Sequence, residues 1–186
     1  RAGRVDRIRE CIGCNICVAT DPFGIPIRCT QNPTMGEEFR RDWHPEFIPT
    51  RRTDAPIMIV GGGPAGLEAA RALAQRGHQV QLLEARNELG GRGVRDALLP
   101  GLGPWRRVVD WRLNEIADLP NVELFPASEV SAADIAEFGA EHVLVATGAT
   151  WRRDGRGRST GRPVEGHEQR NVFTPDDIFD DLVAGT

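Results

Sequence analysis

The run Gly61-Gly62-Gly63-Pro64-Ala65-Gly66 constrains this chain more than any other stretch, because it follows an apolar segment and opens a helical one. Ile57 to Val60 reads as a buried strand. Pro64 to Gln75 reads as a helix, with small Ala65, Ala69 and Ala70 for close packing and Gly77 as its stop. Gln79 to Leu83 reads as a second strand, which completes a βαβ unit of roughly thirty residues. In that setting G-x-G-x-x-G has a mechanical meaning: Gly61 permits the tight turn, Gly63 lets a diphosphate approach the backbone, and Gly66 lets the helix close on the sheet. Pro64 and Ala65 start the helix whose first amides face the phosphates.

Glu84 stands at the end of the second strand, roughly 20 residues beyond the first glycine, where a carboxylate accepts hydrogen bonds from ribose hydroxyls. A 2′-phosphate would be repelled there, although Arg86 softens that exclusion. Ala85 and Arg86 belong to the same strand end, and Gly90-Gly91-Arg92 forms a loop able to pass a bound diphosphate. A plain turn is the competing account of that loop. Thr147 and Gly148 end a further apolar strand, His142 to Ala146, expected to be buried and to lie at the edge of the same site.

The remaining texture is that of a parallel sheet with crossover helices. Trp105 to Leu119 carries apolar residues at helical spacing, Val122 to Phe125 reads as a strand, and Ser131 caps a short helix through Phe138. Thr174, Pro175, Asp176 and Asp177 start a final helix. The fold class is therefore α/β: a Rossmann-like dinucleotide-binding domain preceded by an irregular segment. We place the boundaries at 1–54 for that segment, 55–150 for the nucleotide-binding domain and 151–186 for a loop and the start of a second subdomain.

Residues 1–54 are punctuated by Asp21-Pro22, Phe23-Gly24, Ile25-Pro26, Asn32-Pro33 and His44-Pro45, so they cannot bury much core and something else must order them. All four cysteines, Cys11, Cys14, Cys17 and Cys29, lie in this segment. Cys11-x-x-Cys14-x-x-Cys17 can point three thiolates at three corners of a cubane, with Cys29 closing the fourth. Gly13 lets the loop curl. A [4Fe-4S] cluster fits this serial spacing. Structural zinc, which usually takes two separated Cys-x-x-Cys pairs, is the rival, and a disulfide would leave two cysteines without a role.

Composition removes other classes. Net charge is −4 with no lysine, which argues against a nucleic-acid binder. No apolar run approaches the roughly 20 residues of a membrane helix. Arg1 stands where a start methionine would, so the chain reads as an excerpt of a longer one. His44 beside Trp43 reads as a packing or capping residue, Trp105 and Trp111 as core or subunit packing, and Arg152, Arg153, Arg156, Arg158 and Arg162 as a solvated loop.

Cys11-Ile12-Gly13-Cys14-Asn15-Ile16-Cys17, Cys29-Thr30-Gln31-Asn32-Pro33, Trp43-His44-Pro45-Glu46, Gly61 to Gly66 and Ala146-Thr147-Gly148 together resemble the trimethylamine dehydrogenase group. That group includes dimethylamine and histamine dehydrogenases, N-methyl amino-acid demethylases and, more distantly, 2,4-dienoyl-CoA reductases. The resemblance covers about Val5 to Thr186. It implies an N-terminal TIM barrel with FMN upstream, cluster ligands at Cys11, Cys14, Cys17 and Cys29, and nucleotide contacts at Gly61, Gly63, Gly66 and Glu84. No catalytic residue is carried over.

The resemblance implies a partial FAD- or ADP-binding domain; Gly90-Gly91-Arg92-Gly93 departs from the Gly-Gly-x-Leu or Gly-Gly-x-Phe pattern of many FAD binders, which weighs against a flavin ring, and FAD is expected with ADP as the alternative. The implied function is electron transfer within an oxidoreductase acting on CH-NH or CH-N groups, from FMN through the cluster to an acceptor such as an electron-transfer flavoprotein. A cytoplasmic homo-oligomer is expected. The alternatives are part of an NADPH-dependent enoyl reductase and a non-catalytic module binding zinc and a nucleotide.

Overall fold

The computed structural model describes residues 3–19, 21–37, 39, 48–157 and 160–184. Trp43, His44, Pro45, Glu46 and Arg158 lie outside the described residues. Two compact units are present, Arg1–Gly148 and Ala149–Thr186.

In the first unit the N-terminal arm contains a 3-10 turn at Val5–Arg7, the short helix α1 at Ile16–Ala19 and a second 3-10 turn at Asp21–Phe23. Then follow β1 (Ile57–Val60), α2 (Pro64–Gln75), β2 (Val80–Leu83), α3 (Arg92–Asp96), α4 (Arg106–Ala117), β3 (Val122–Phe125), α5 (Ala132–Phe138) and β4 (His142–Val145). All pairings are parallel and the strand order is β3-β2-β1-β4. Order reverses beside β1, because β2 and β4 flank it. In sheets of this kind ligands bind outside the carboxyl ends of the strands at that reversal.

Strand periodicity sets the buried face. Ile57 and Ile59 on β1 share it with Val80 and Leu82 on β2, and α2 lays Leu67, Ala70 and Ala74 against them. Val109 and Ile116 of α4 and Val94 of α3 complete this core. Ile59, Leu67, Leu82 and Val109 are each 0% exposed, and burial of such a side chain is worth roughly 1.5–3 kcal/mol.

The sheet and α2 match the sequence reading to within a residue; β2 starts at Val80. The helix expected from Trp105 to Leu119 is divided: Gly103–Trp105 forms a 3-10 turn containing Pro104, and α4 proper begins at Arg106. Ser131 caps α5 in a reciprocal box, its hydroxyl accepting from the Asp134 amide while the Asp134 carboxylate accepts from the Ser131 amide.

The strand from His142 was expected to be buried, and this is corrected. Leu144 is 42% and Val145 is 71% exposed. The physical reason is that β4 is an edge strand: it pairs with β1 on one side, and no further strand pairs with it among the described residues.

The second unit is a loop followed by α6 (Pro175–Ala184). Thr174 caps α6: its hydroxyl accepts from the Asp177 amide at 3.3 Å, and its own amide donates to the Asp177 carboxylate at 2.7 Å. Three arginines of the loop are paired within this unit, Arg152 and Arg156 with Asp154 and Arg153 with Asp177. Among the described residues no helix is long and apolar enough to cross a membrane.

Candidate functional site

Two sets of residues expected to act at a site lie in the first unit. The first is the turn between β1 and α2. Gly61 has φ +110, and a Cβ there would stand 2.4 Å from the Ala146 carbonyl oxygen, so only glycine fits between the ends of β1 and β4. A Cβ on Gly66 would stand 1.9 Å from the Gly61 carbonyl oxygen; its absence lets α2 start flush against the turn. Gly63 has nothing within 4 Å of an added Cβ, so open space lies on the side where a diphosphate would approach. Gly63 also caps α2 without a side chain, and Pro64 occupies the first turn, so no cap side chain competes for the amides there.

Glu84 is tied into this turn. One carboxylate oxygen accepts from the Gly62 amide at 2.7 Å, and the other accepts from the Arg86 amide at 2.9 Å. A carboxylate oxygen has two acceptor sites, so each retains capacity for a ribose hydroxyl. The loop at Gly90 and Gly91 meets the same turn: the Gly90 amide donates to the Gly62 carbonyl at 2.8 Å, and a Cβ on Gly91 would lie 3.1 Å from the Gly63 Cα. Arg92 follows at the start of α3, and Ala85 and Arg86 are exposed beside Glu84. Thr147 and Gly148 are exposed just past Ala146, whose amide donates to the Val60 carbonyl at 2.7 Å. The structure therefore brings the glycine turn, Glu84, Gly90-Gly91 and the Ala146-Thr147-Gly148 turn to one end of the sheet.

Sequence reasoning overlooked Gly62. Its amide holds the carboxylate, and a Cβ there would strike the Leu89 side chain at 2.4 Å. The signal was present in the triple glycine, of which G-x-G-x-x-G prescribes only the outer two.

The second set is the cysteine loop. All four thiols are free; Cys11 is exposed and Cys14, Cys17 and Cys29 are half-buried. Among the described residues no three Cys, His, Asp or Glu side chains come close enough together to hold a metal ion. Ligands of this type usually assemble as the ion binds, because thiolates repel one another and a preformed site rarely exists without it.

The chemistry of the donor set nevertheless fits a thiolate-bound cluster. The Gly13 amide donates to the Cys11 sulfur at 3.3 Å, and the Thr30 hydroxyl lies 3.2 Å from the Cys14 sulfur. Burial pushes the Cys14 thiol up, but hydrogen bonds from Thr30 and from the Ile16, Thr30 and Cys14 amides outweigh it, and the thiol ends below its ordinary value. A cavity of about 470 Å³ opens against Cys11 and Cys29, lined also by Arg9, Gln31, Asn32 and Arg71.

The arm reaches α4 through Trp111, whose indole N–H donates to the Arg7 carbonyl at 3.1 Å and whose ring lies 3.6 Å beneath the Arg9 guanidinium. Trp111 was expected in core or subunit packing; it is buried, and it packs the arm to the domain. Arg9 itself is pulled down to about 10, chiefly by burial.

A family model described as an NAD(P)-binding Rossmann-like domain matches residues 59–122. The chain is 41% identical over 186 residues to dimethylamine dehydrogenase of Hyphomicrobium sp. (strain x), covering 96% of this chain and 25% of that protein. Among solved structures it is similar to histamine dehydrogenase from Rhizobium sp. 4-9, with 49% identity, a TM-score of 0.87, and 97% of this chain and 26% of that chain covered. It is also similar to 6-hydroxypseudooxynicotine amine oxidase from Pseudomonas geniculata N1, with 51% identity, a TM-score of 0.85, and 95% and 26% covered. The chain thus spans about a quarter of the length of these relatives. Across that quarter, in sequence and in fold, it belongs to the family of dimethylamine and histamine dehydrogenases.

Proposed function

We propose that this chain is the electron-transfer part of an iron-sulfur flavoprotein oxidoreductase acting on the CH-NH or CH-N groups of amines or N-methyl amino acids. One observation carries the reading: four free thiols occupy a single loop of a domain that also presents a glycine turn, a free helix N-terminus and Glu84 at one sheet end. Cys11, Cys14, Cys17 and Cys29 hold a [4Fe-4S] cluster. Gly13 and Thr30 supply hydrogen bonds to its sulfur ligands.

At the other site Gly63 and the first turn of α2 take the diphosphate of FAD, with ADP as the alternative, and Glu84 takes the ribose hydroxyls. Gly90, Gly91, Thr147 and Gly148 border it. When bound, the cluster carries single electrons between FMN on a barrel of the same protein and an acceptor such as an electron-transfer flavoprotein. We place this protein in the cytoplasm as a homo-oligomer. Free thiols persist in that reducing compartment.

The test uses the full-length protein purified without oxygen. About four irons with matching labile sulfide per chain, a released adenine nucleotide and reduction by a secondary or tertiary amine support the proposal. A colourless, zinc-loaded protein overturns it. Reduction by NADPH and not by amines reassigns the chain to an enoyl reductase.

A further inference from the structure

The loop that carries the thiols begins after Glu10 and ends before Gln31, and those two residues are joined. The Gln31 side-chain amide donates to the Glu10 carbonyl at 3.0 Å. Gln31 is only 2% exposed, although it is polar and lies in the arm rather than in the sheet. Its burial is balanced by Arg112 of α4, which is 4% exposed. Arg112 donates from one terminal nitrogen to the Gln31 carbonyl at 3.2 Å and from the other to the Gln31 side-chain oxygen at 3.4 Å.

The same guanidinium donates to the Val108 carbonyl at 2.7 Å and pairs through Nε with Glu68 of α2 at 2.8 Å. Arg9 adds a second guanidinium from the arm, donating to the Gln31 carbonyl at 3.1 Å and to the Asn32 side chain at 3.0 Å. The thiol loop is thus closed at its neck by Gln31, and the neck is bolted to α2 and α4 by Arg112.

We propose that Arg112 is a positioning residue for the sulfur ligands: through Gln31 it holds the two ends of the thiol loop together, and it sets a buried positive charge on the neck, two residues along the chain from Cys29. The inference rests on the cluster reading above. Two properties follow from the geometry. The neck contacts reduce the freedom of the loop before any ion binds, so they slow loss of the ion once it has bound. The charge favours the form of the site that carries one more electron, because Coulomb attraction is strong where water is excluded.

The experiment uses the full-length protein, prepared without oxygen, as wild type, R112K, R112M and Q31L. Two quantities are read: the rate at which a chelator removes iron, and the one-electron midpoint potential followed by electron paramagnetic resonance. Q31L and R112K are expected to lose iron several-fold faster than wild type, because neither retains the two-ended contact. R112K keeps the charge and is expected to keep the potential. R112M is expected to lower the reduction equilibrium about tenfold, or about 59 mV for one electron.

Wild-type release rates in both Q31L and R112K overturn the positioning role, and a wild-type potential in R112M overturns the electrostatic one. If R112M does not fold, R112K and Q31L still decide the first, and a wild-type potential in R112Q, which removes the charge but keeps a polar amide for Gln31, overturns the second. Absence of iron from the wild-type protein overturns the cluster reading itself, which separates that failure from this one.

Discussion

The cysteine arm and the sheet domain are ordered by different forces. The sheet domain buries Ile59, Leu67, Leu82 and Val109 completely, whereas the arm leaves Val5, Ile8, Val18 and Phe23 between 58% and 77% exposed and, among the described residues, buries a single aliphatic side chain, Ile12. What holds the arm is polar: the Trp111 indole on Arg7, Arg107 on Glu10 and on the Cys11 carbonyl, and the paired guanidinium groups on Gln31. Net hydrogen bonds contribute only about 1 kcal/mol each, so a segment built this way gains much from an inorganic cross-link. A sheet domain with its own core does not need one.

The sharpest break in this comparison is a pair of substitutions with opposite effects. Cys29→Ser is expected to strip nearly all iron while leaving the adenine nucleotide in place. Gly66→Ala, whose new methyl would overlap the Gly61 carbonyl, is expected to weaken nucleotide binding by more than about tenfold, about 1.4 kcal/mol, while iron stays. Metal analysis and nucleotide release on the two proteins check both. Joint loss in either variant would mean that the regions do not stand apart.

Chemical unfolding gives the next effect. Leu67→Ala removes a side chain with 0% exposure and is expected to cost about 2–5 kcal/mol. Val18→Ala, at a position 64% exposed in α1, is expected to change stability by less than about 0.5 kcal/mol. Equal costs would refute the contrast in burial.

Glu84→Gln keeps an acceptor for the Gly62 amide but removes the charge and one acceptor for a ribose hydroxyl. An increase in nucleotide Kd of about tenfold, about 1.4 kcal/mol, is expected by calorimetry, with the fold unchanged. An unaltered Kd would take Glu84 out of the site.

The smallest effect concerns acid. Hydrogen bonds from the Ser131 amide and hydroxyl hold the Asp134 carboxyl below its ordinary value. An unfolded aspartate titrates at about 3.9, so this cap contributes above that pH and its contribution is lost as pH falls through the lower folded value. Amide exchange across Ala132–Phe138 should accelerate in that window in wild type and be insensitive to it in Asp134→Asn. Matching profiles would remove the cap from the account.

How far the molecule could be read in advance follows the range of its interactions. Pro64 to Gln75 was legible because apolar spacing, a proline at the first turn and a terminal glycine act within a few residues of one another. Ser131 as the cap of α5 was legible for the same reason. The edge position of β4 was not, because the apolar run from Val143 to Val145 is written alike for a central and an edge strand, and only the pairing order separates them. The role of Gly62 was concealed among identical neighbours.

By itself the sequence determined the α/β class, the glycine turn at the end of β1, the position of Glu84 and the confinement of every thiol to one loop, since each is carried by local spacing and residue chemistry. Only the tertiary structure decided that Gln31 would be buried and that Arg112, 81 residues away, would hold it. Contacts between residues so distant along the chain exist only once α2 and α4 have packed on the sheet and brought Glu68, Arg112 and the neck of the loop together.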